Sequence, residues 1–193
     1  MDFQSLIRDT LSESGRLKIR LAETHAEIVA RLADMMIQSL ESGGKILFCG
    51  NGGSAADSQH LAAELLGRFK RDRKALAALA LSTDTSVLTA VANDGGFETV
   101  FSRQVEALGR PGDMLIGIST SGQSPNVVRA FETARRLGLK TAALLGQKPG
   151  PVDALAELCL HIPSAETARV QECHITIGHA VCELVERHFA GSP

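Results

Sequence analysis

The chain has 193 residues, 44% hydrophobic and 22% charged, the balance of an ordinary globular protein with a sizeable core. A net charge of −2 and a pI near 6.3 argue against a large nucleic-acid surface, and the lack of Trp and Tyr removes the usual base-stacking platforms. No apolar stretch is long enough to span a membrane and MDFQSLIRDT lacks a signal-peptide layout, so a cytoplasmic protein with neither membrane nor nucleic-acid partner is expected.

Leu6, Ile7, Leu11, Leu17 and Leu21 recur at helical spacing, as do Ile28, Leu32, Met35, Met36 and Leu40. They predict an N-terminal helical arm over 1–42, ended by Gly43 and Gly44. Short apolar runs then alternate with helical stretches. The runs are Lys45–Cys49, Ala77–Leu81, Met114–Ile118, Thr141–Leu145 and Leu158–Ile162, and helices are expected near 54–68, 97–108, 125–138 and 168–189. The run at 77–81 is alanine-rich and reads nearly as well as helix. Strand–helix alternation with few hairpin signals means parallel strands and crossover helices. The expectation is one α/β domain over 1–193, a three-layer α/β/α sandwich with a five-stranded parallel sheet, its core in 43–193. The basic run Lys70–Lys74, broken by Asp72, reads as a solvated loop. Cys49, Cys159, Cys173 and Cys182 form no CxxC pair and read as buried thiols in a reducing compartment.

In such folds ligands sit beyond the carboxyl ends of the strands. Gly50–Ser54 follows the first run and Ser119–Asn126 (STSGQSPN) the third, each just before a helix. A helix start offers unpaired N–H groups and partial positive charge, glycines let a backbone approach closely, and Ser119, Thr120, Ser121 and Ser124 add hydroxyls. Each loop alone also reads as an ordinary Gly-rich βα turn with a Ser cap. GNGGS is neither a Walker loop nor a full dinucleotide fingerprint. A serine-rich cradle with no lysine suits a small phosphorylated metabolite.

Asp57, His60, Glu64 and Arg68 make one polar stripe on the helix after GNGG, with Leu61, Ala62, Leu65 and Leu66 opposite. By itself that is a solvated face with local ion pairs. The last helix carries Gln171, Glu172, His174 and His179, and His174 and His188 read as surface or interface residues. His and Glu at i, i+4 can also hold a divalent metal with further ligands from elsewhere, in a spacing unlike the HExxH of zinc proteases.

GNGGSAADSQHLAAE, Ala92–Asp94 (AND), ISTSGQSPN and RVQECHITIGH, in this order, resemble the sugar isomerase (SIS) domain family and, within it, the phosphoheptose isomerases. The resemblance covers nearly the whole chain, arm included. It implies conversion of sedoheptulose 7-phosphate to D-glycero-D-manno-heptose 7-phosphate through an enediol, the first step towards the heptose of bacterial lipopolysaccharide. It also implies a homotetramer with active sites between subunits and one zinc ion per subunit. Carried over, the metal ligands are His60, Glu64, Gln171 and His179. Asn51, Gly52, Gly53, Ser54, Glu64, Asn93, Asp94, Ser119, Thr120, Ser121, Ser124 and Gln171 hold the phosphorylated sugar, with Arg68 as an addition. Glu64 and His179 form the acid/base pair.

Where relatives have an Arg-Pro-Gly-like turn, this chain reads Arg73-Lys74-Ala75. Gln171 and His179 stand eight residues apart, about 12 Å along a helix. Either Gln171 sits at a frayed helix start or the two residues come from different chains. The alternative reading is a non-enzymatic SIS protein that binds the bacterial replication initiator DnaA, whose relatives lack the carboxylate of Glu64 and the imidazole of His179. A third, the sugar-phosphate sensor of a regulator, calls for a DNA-binding domain that this length does not accommodate.

Overall fold

A computed structural model describes residues 2–190 of the chain. The arm is two helices, α1 (Phe3–Thr24) and α2 (Ala26–Glu41), broken at His25. Asp2 caps α1 by accepting from the Gln4 and Ser5 N–H groups, which would otherwise be unpaired. Then follow β1 (Ile46–Gly50), α3 (Gly53–Leu66), β2 (Ala78–Ala80), α4 (Thr85–Gly95) and α5 (Val100–Leu108). The chain continues through β3 (Met114–Ser119), α6 (Pro125–Arg136), β4 (Lys140–Leu145), β5 (Leu158–His161) and α7 (Thr167–Phe189).

The five strands form one parallel sheet in the order β2-β1-β3-β4-β5. Alternation along each strand divides the core into two layers. Ile46 and Phe48 of β1, Met114, Ile116 and Ile118 of β3, and Ala142 and Leu144 of β4 pack against α2, α3 and α7. Leu47, Cys49, Leu115, Ala143 and Leu145 face the other way, onto α5 and α6. The three-layer sandwich expected from the alternation is what forms, and 77–81 is a strand, though only three residues of it pair.

Two expectations need correction here. The segment Thr85–Gly95, outside the expected elements, is a helix started by Asp84, whose carboxylate accepts from the Val87 N–H. None of its residues is fully buried, and its core contact is limited to the half-buried Leu88, Val91 and Ala92, a short apolar face that gives a periodicity search little to find. His174 is not a surface residue. It is fully buried, with Nε2 3.1 Å from the Leu145 carbonyl oxygen. Burial pushes its pKa down to about 4, so it is neutral at ordinary pH and its Nε2–H donates to that carbonyl. His188 is at the surface and pairs with Glu41 at 2.7 Å.

Cys49, Cys173 and Cys182 are buried and Cys159 half-buried, all as free thiols. Burial raises Cys49 and Cys182 to about 12, which leaves them unreactive. No helix among the described residues is long and apolar enough to cross a membrane. The strand order reverses between β1 and β3, so the loops leaving these two strands lie side by side at the carboxyl edge of the sheet.

Candidate functional site

α3 and α7 lie together in the layer that also holds α2, and they approach closely because α7 carries Gly178 where Leu61 of α3 crosses it. A Cβ at Gly178 would come within 2.5 Å of the Leu61 side chain. This contact brings His179, next in the chain, to α3. Nε2 of His179 stands 2.8 Å from Nε2 of His60, and the latter is 3.1 Å from Oε1 of Glu64. Two imidazoles and a carboxylate thus converge, with one ligating atom from each inside 4.8 Å. The side chain of His60 is 48% exposed and that of Glu64 21%, so solvent and a ligand can reach the cluster.

The polar stripe on α3 is less uniform than its spacing suggests. Asp57 is half-buried, and its Oδ2 has no hydrogen-bond partner among the described residues. Burial raises its pKa, and the charge of His60 pulls the other way. Arg68 is exposed. On the opposite side Leu61, Ala62 and Leu65 are buried as expected, but Leu66 is 48% exposed.

The basic run after α3 is not simply a solvated loop. Lys70 and Lys74 are exposed, but the Arg73 side chain is 1% exposed, beneath the loop. Its guanidinium donates to the carbonyls of Glu64, Leu65, Gly67 and Lys74, closing the C-terminal end of α3. Its Nε is 3.6 Å from Oε1 of Glu186, a carboxylate equally buried on α7. Glu186 in turn accepts the backbone N–H groups of Phe69, Lys70 and Arg71. The loop is therefore tied to α7, and it stacks the Phe69 ring on His179, with centroids 5.5 Å apart and planes 21° from parallel. Nothing in the local sequence signals this, because Glu186 comes from the far end of the chain.

The other end of α3 is built from backbone and amides. Gly53, the first helical residue, lies against Gln171, whose Nε2 would be 2.6 Å from a Cβ there. Asn51 and Asn126 exchange two side-chain hydrogen bonds of 2.9 and 2.8 Å, joining the loops after β1 and β3. Asn126 was not among the expected site residues, although it closes the STSGQSPN motif. Ser54 is buried, and Gly52 precedes α3 as its N-cap.

The loop after β3 is the expected hydroxyl cluster. The Ser119 hydroxyl accepts from the Gly122 N–H and lies 3.4 Å from that of Ser124, the N-cap of α6. The Ser121 hydroxyl accepts from the Gln123 N–H. A cavity of about 250 Å³ opens beside Thr120, Ser121 and Gln123. Asn93 and Asp94 lie exposed at the end of α4, hydrogen-bonded to each other at 2.9 Å. No hydrogen bond among the described residues joins them to the hydroxyl loop or to the histidine cluster.

Gln171 is the fifth residue of α7, so it is not at a frayed end. Its contact is Gly53, seven residues before His60, or roughly 10 Å along α3. Within one chain Gln171 and the histidine cluster therefore stand two helical turns apart. His60, Glu64 and His179 fit a zinc ion by themselves. Two imidazole nitrogens and a carboxylate oxygen are its usual donors, three protein ligands leave one position free for substrate, and the 2.8 and 3.1 Å spacings approach those around a tetrahedral ion.

The SIS domain family model matches residues 11–146. The phosphoheptose isomerase of Akkermansia muciniphila is 58% identical over 163 residues, covering 84% of this chain and 86% of that one. The solved phosphoheptose isomerase GmhA from Neisseria gonorrhoeae superposes with a TM-score of 0.89 at 46% identity, over 95% of this chain and 98% of that one. That from Francisella tularensis gives 0.92 at 37% identity, over 96% and 98%. The chain belongs to the SIS domain family and groups with its phosphoheptose isomerases.

Proposed function

We propose that this chain is an aldose–ketose isomerase that converts sedoheptulose 7-phosphate to D-glycero-D-manno-heptose 7-phosphate. The observation that carries the reading is the convergence of His60, Glu64 and His179 between α3 and α7. The relatives named phosphoheptose isomerase support it.

The reaction moves hydrogen between C1 and C2. Glu64 takes a proton from C1 of the open-chain ketose, the freed electron pair forms the C1=C2 bond, and the C2 carbonyl oxygen gains a proton. The C1 hydroxyl then gives up its proton as the aldehyde forms, the C1=C2 pair takes a proton at C2, and the net change is zero. Glu64 serves the carbon atoms and His179 the oxygens. A carboxylate and an imidazole both tune towards neutral pH, where general acid/base catalysis is most effective. Phe69, stacked on His179, holds that ring in place. Zinc at His60, Glu64 and His179 would polarise the carbonyl and stabilise the enediolate charge.

Ser119, Thr120, Ser121 and Ser124 hold the phosphate, so binding far from the reacting carbons positions C1 and C2. Gln171, Asn51, Gly52, Gly53, Ser54, Asn93 and Asp94 contact the sugar. Gln171 reaches the ion of a neighbouring subunit in a homotetramer, which removes the two-turn separation within one chain. The exposed Phe3, Leu6, Ile7 and Leu11 of α1 give the arm an apolar face for such an assembly. The product would feed the heptose of a lipopolysaccharide, and the setting is the cytoplasm.

The test is NMR of the purified protein with sedoheptulose 7-phosphate, before and after metal removal. An aldoheptose 7-phosphate should appear, vanish with chelator and return with zinc. Turnover that survives verified metal loss would remove zinc from the reading. No turnover with zinc present would overturn the isomerase and favour a non-enzymatic binding role.

A further inference from the structure

The hydroxyl cradle contains no lysine in its own loop, but the fold delivers one from the next. The cavity of about 250 Å³ beside Thr120, Ser121 and Gln123 is also lined by Gln147 and Lys148, from the loop after β4, and by Thr167 at the start of α7.

That loop is fixed against the cradle by close backbone contact. A Cβ on Gly146 would collide with the Thr120 carbonyl oxygen, and one on Gly150 would come within 2.6 Å of the Gly122 carbonyl oxygen. Glycines on either side of Lys148 thus set its backbone on the cradle's rim. The Val152 N–H adds a bond of 3.4 Å to the Gly122 carbonyl oxygen. The carboxylate that follows in the chain does not neutralise the lysine. Asp153 accepts the Gly150 N–H at 2.7 Å and lies 2.6 Å from Nε2 of His161. Lys148 has no ion-pair partner among the described residues and is exposed to the cavity side of the surface.

We propose that Lys148 is the cation of the phosphate subsite, binding the phosphate monoester of the substrate across this cavity from the Ser/Thr loop. The proposal rests on the isomerase reading for the identity of the substrate. A phosphate monoester carries between one and two negative charges at neutral pH, and the other side chains lining the cavity are uncharged. An ammonium group adds a charge-assisted bond and a long-range attraction that hydroxyls do not supply. Because the phosphate stays remote from C1 and C2, Lys148 contributes to binding in the ground state and the transition state alike.

The experiment compares wild type, Lys148→Ala and Lys148→Arg by steady-state kinetics with sedoheptulose 7-phosphate, and by titration of each zinc-loaded protein with inorganic phosphate followed by 31P NMR. Lys148→Ala should raise KM about tenfold or more and weaken phosphate binding by a similar factor, with kcat within about threefold of wild type. Lys148→Arg should recover most of the loss, and added salt should raise KM more in wild type than in Lys148→Ala. Unchanged KM and phosphate affinity in Lys148→Ala, or a fall in kcat alone, would overturn the assignment. A wild type that binds phosphate through Lys148 without turning over the ketose would leave the lysine standing and sink the isomerase reading instead.

Discussion

The two ends of α3 are built for different work. At its start are a bare backbone, the Asn51–Asn126 amide pair and the Gln171 side chain against Gly53, groups that donate and accept without changing charge. Two turns on are His60 and Glu64, with His179 beside them, groups that can exchange protons or hold an ion. Beneath this second end the buried Arg73–Glu186 pair ties the following loop to α7, while the first end is held by neutral hydrogen bonds. On the proposed function, one helix thus separates holding from chemistry. The titratable end is the one fastened by buried charge, in keeping with the tighter placement that proton transfer demands.

The sharpest way to break this division between holding and chemistry is to substitute the titratable end of α3 and the hydroxyl loop after β3, and compare kinetics. Glu64→Gln and His179→Ala should lower kcat by about 10²–10⁴-fold and still bind substrate, whereas Ser121→Ala in the cradle should chiefly raise KM. A Glu64→Gln enzyme with altered KM and normal kcat would erase the distinction. Next in size is the fastening itself. Arg73→Met leaves the Glu186 carboxylate buried without its cation and should cost about 3–5 kcal/mol, read from urea unfolding, with a fall in kcat as Phe69 loses its place on His179. Unaltered stability would mean that the loop is not held as described.

His174, under the end of β4, gives a control outside both ends. The unfolded chain binds its proton near 6.5 and the folded one only near 4, so stability is lost as pH falls through that window. The loss should approach roughly 3 kcal/mol at the acid limit, and His174→Leu should flatten the slope in melts recorded between pH 7 and pH 4. The smallest effect belongs to the neutral end. In Gly53→Ala the new Cβ meets the tip of the Gln171 side chain, so the fold should change by less than about 1 kcal/mol. Activity should still drop several-fold if Gln171 must stand where it does, which paired melts and rate assays would show.

Much of this was legible in the sequence. Parallel alternation gave the sheet because every strand is an apolar run with a turn at its carboxyl end, and those turns located both loops. His60 and Glu64 could be paired from their spacing alone. Bringing in His179 needs the crossing of Gly178 and Leu61, which residue spacing does not show and only the family resemblance implies. The burial of Arg73 is not legible, because a charge run normally faces water and the carboxylate that pairs with it lies on another helix. Lys148 has no local signal, because the cavity it lines is formed jointly by the loops after β3 and β4, which only the fold brings together. The α4 segment packs only the half-buried Leu88, Val91 and Ala92 on the core, an apolar face of one turn that gives a short periodic signal.

The most direct test of the central claim, that Glu64 carries a proton between two carbons, is turnover of sedoheptulose 7-phosphate in D2O followed by NMR. The account predicts an aldose product whose C2 carries either the proton taken from C1 or, where the Glu64 carboxyl has exchanged with solvent, deuterium, with both product formation and C1 exchange slowed about 10²–10⁴-fold in Glu64→Gln. Product formation and C1 exchange at the wild-type rate in Glu64→Gln would contradict it.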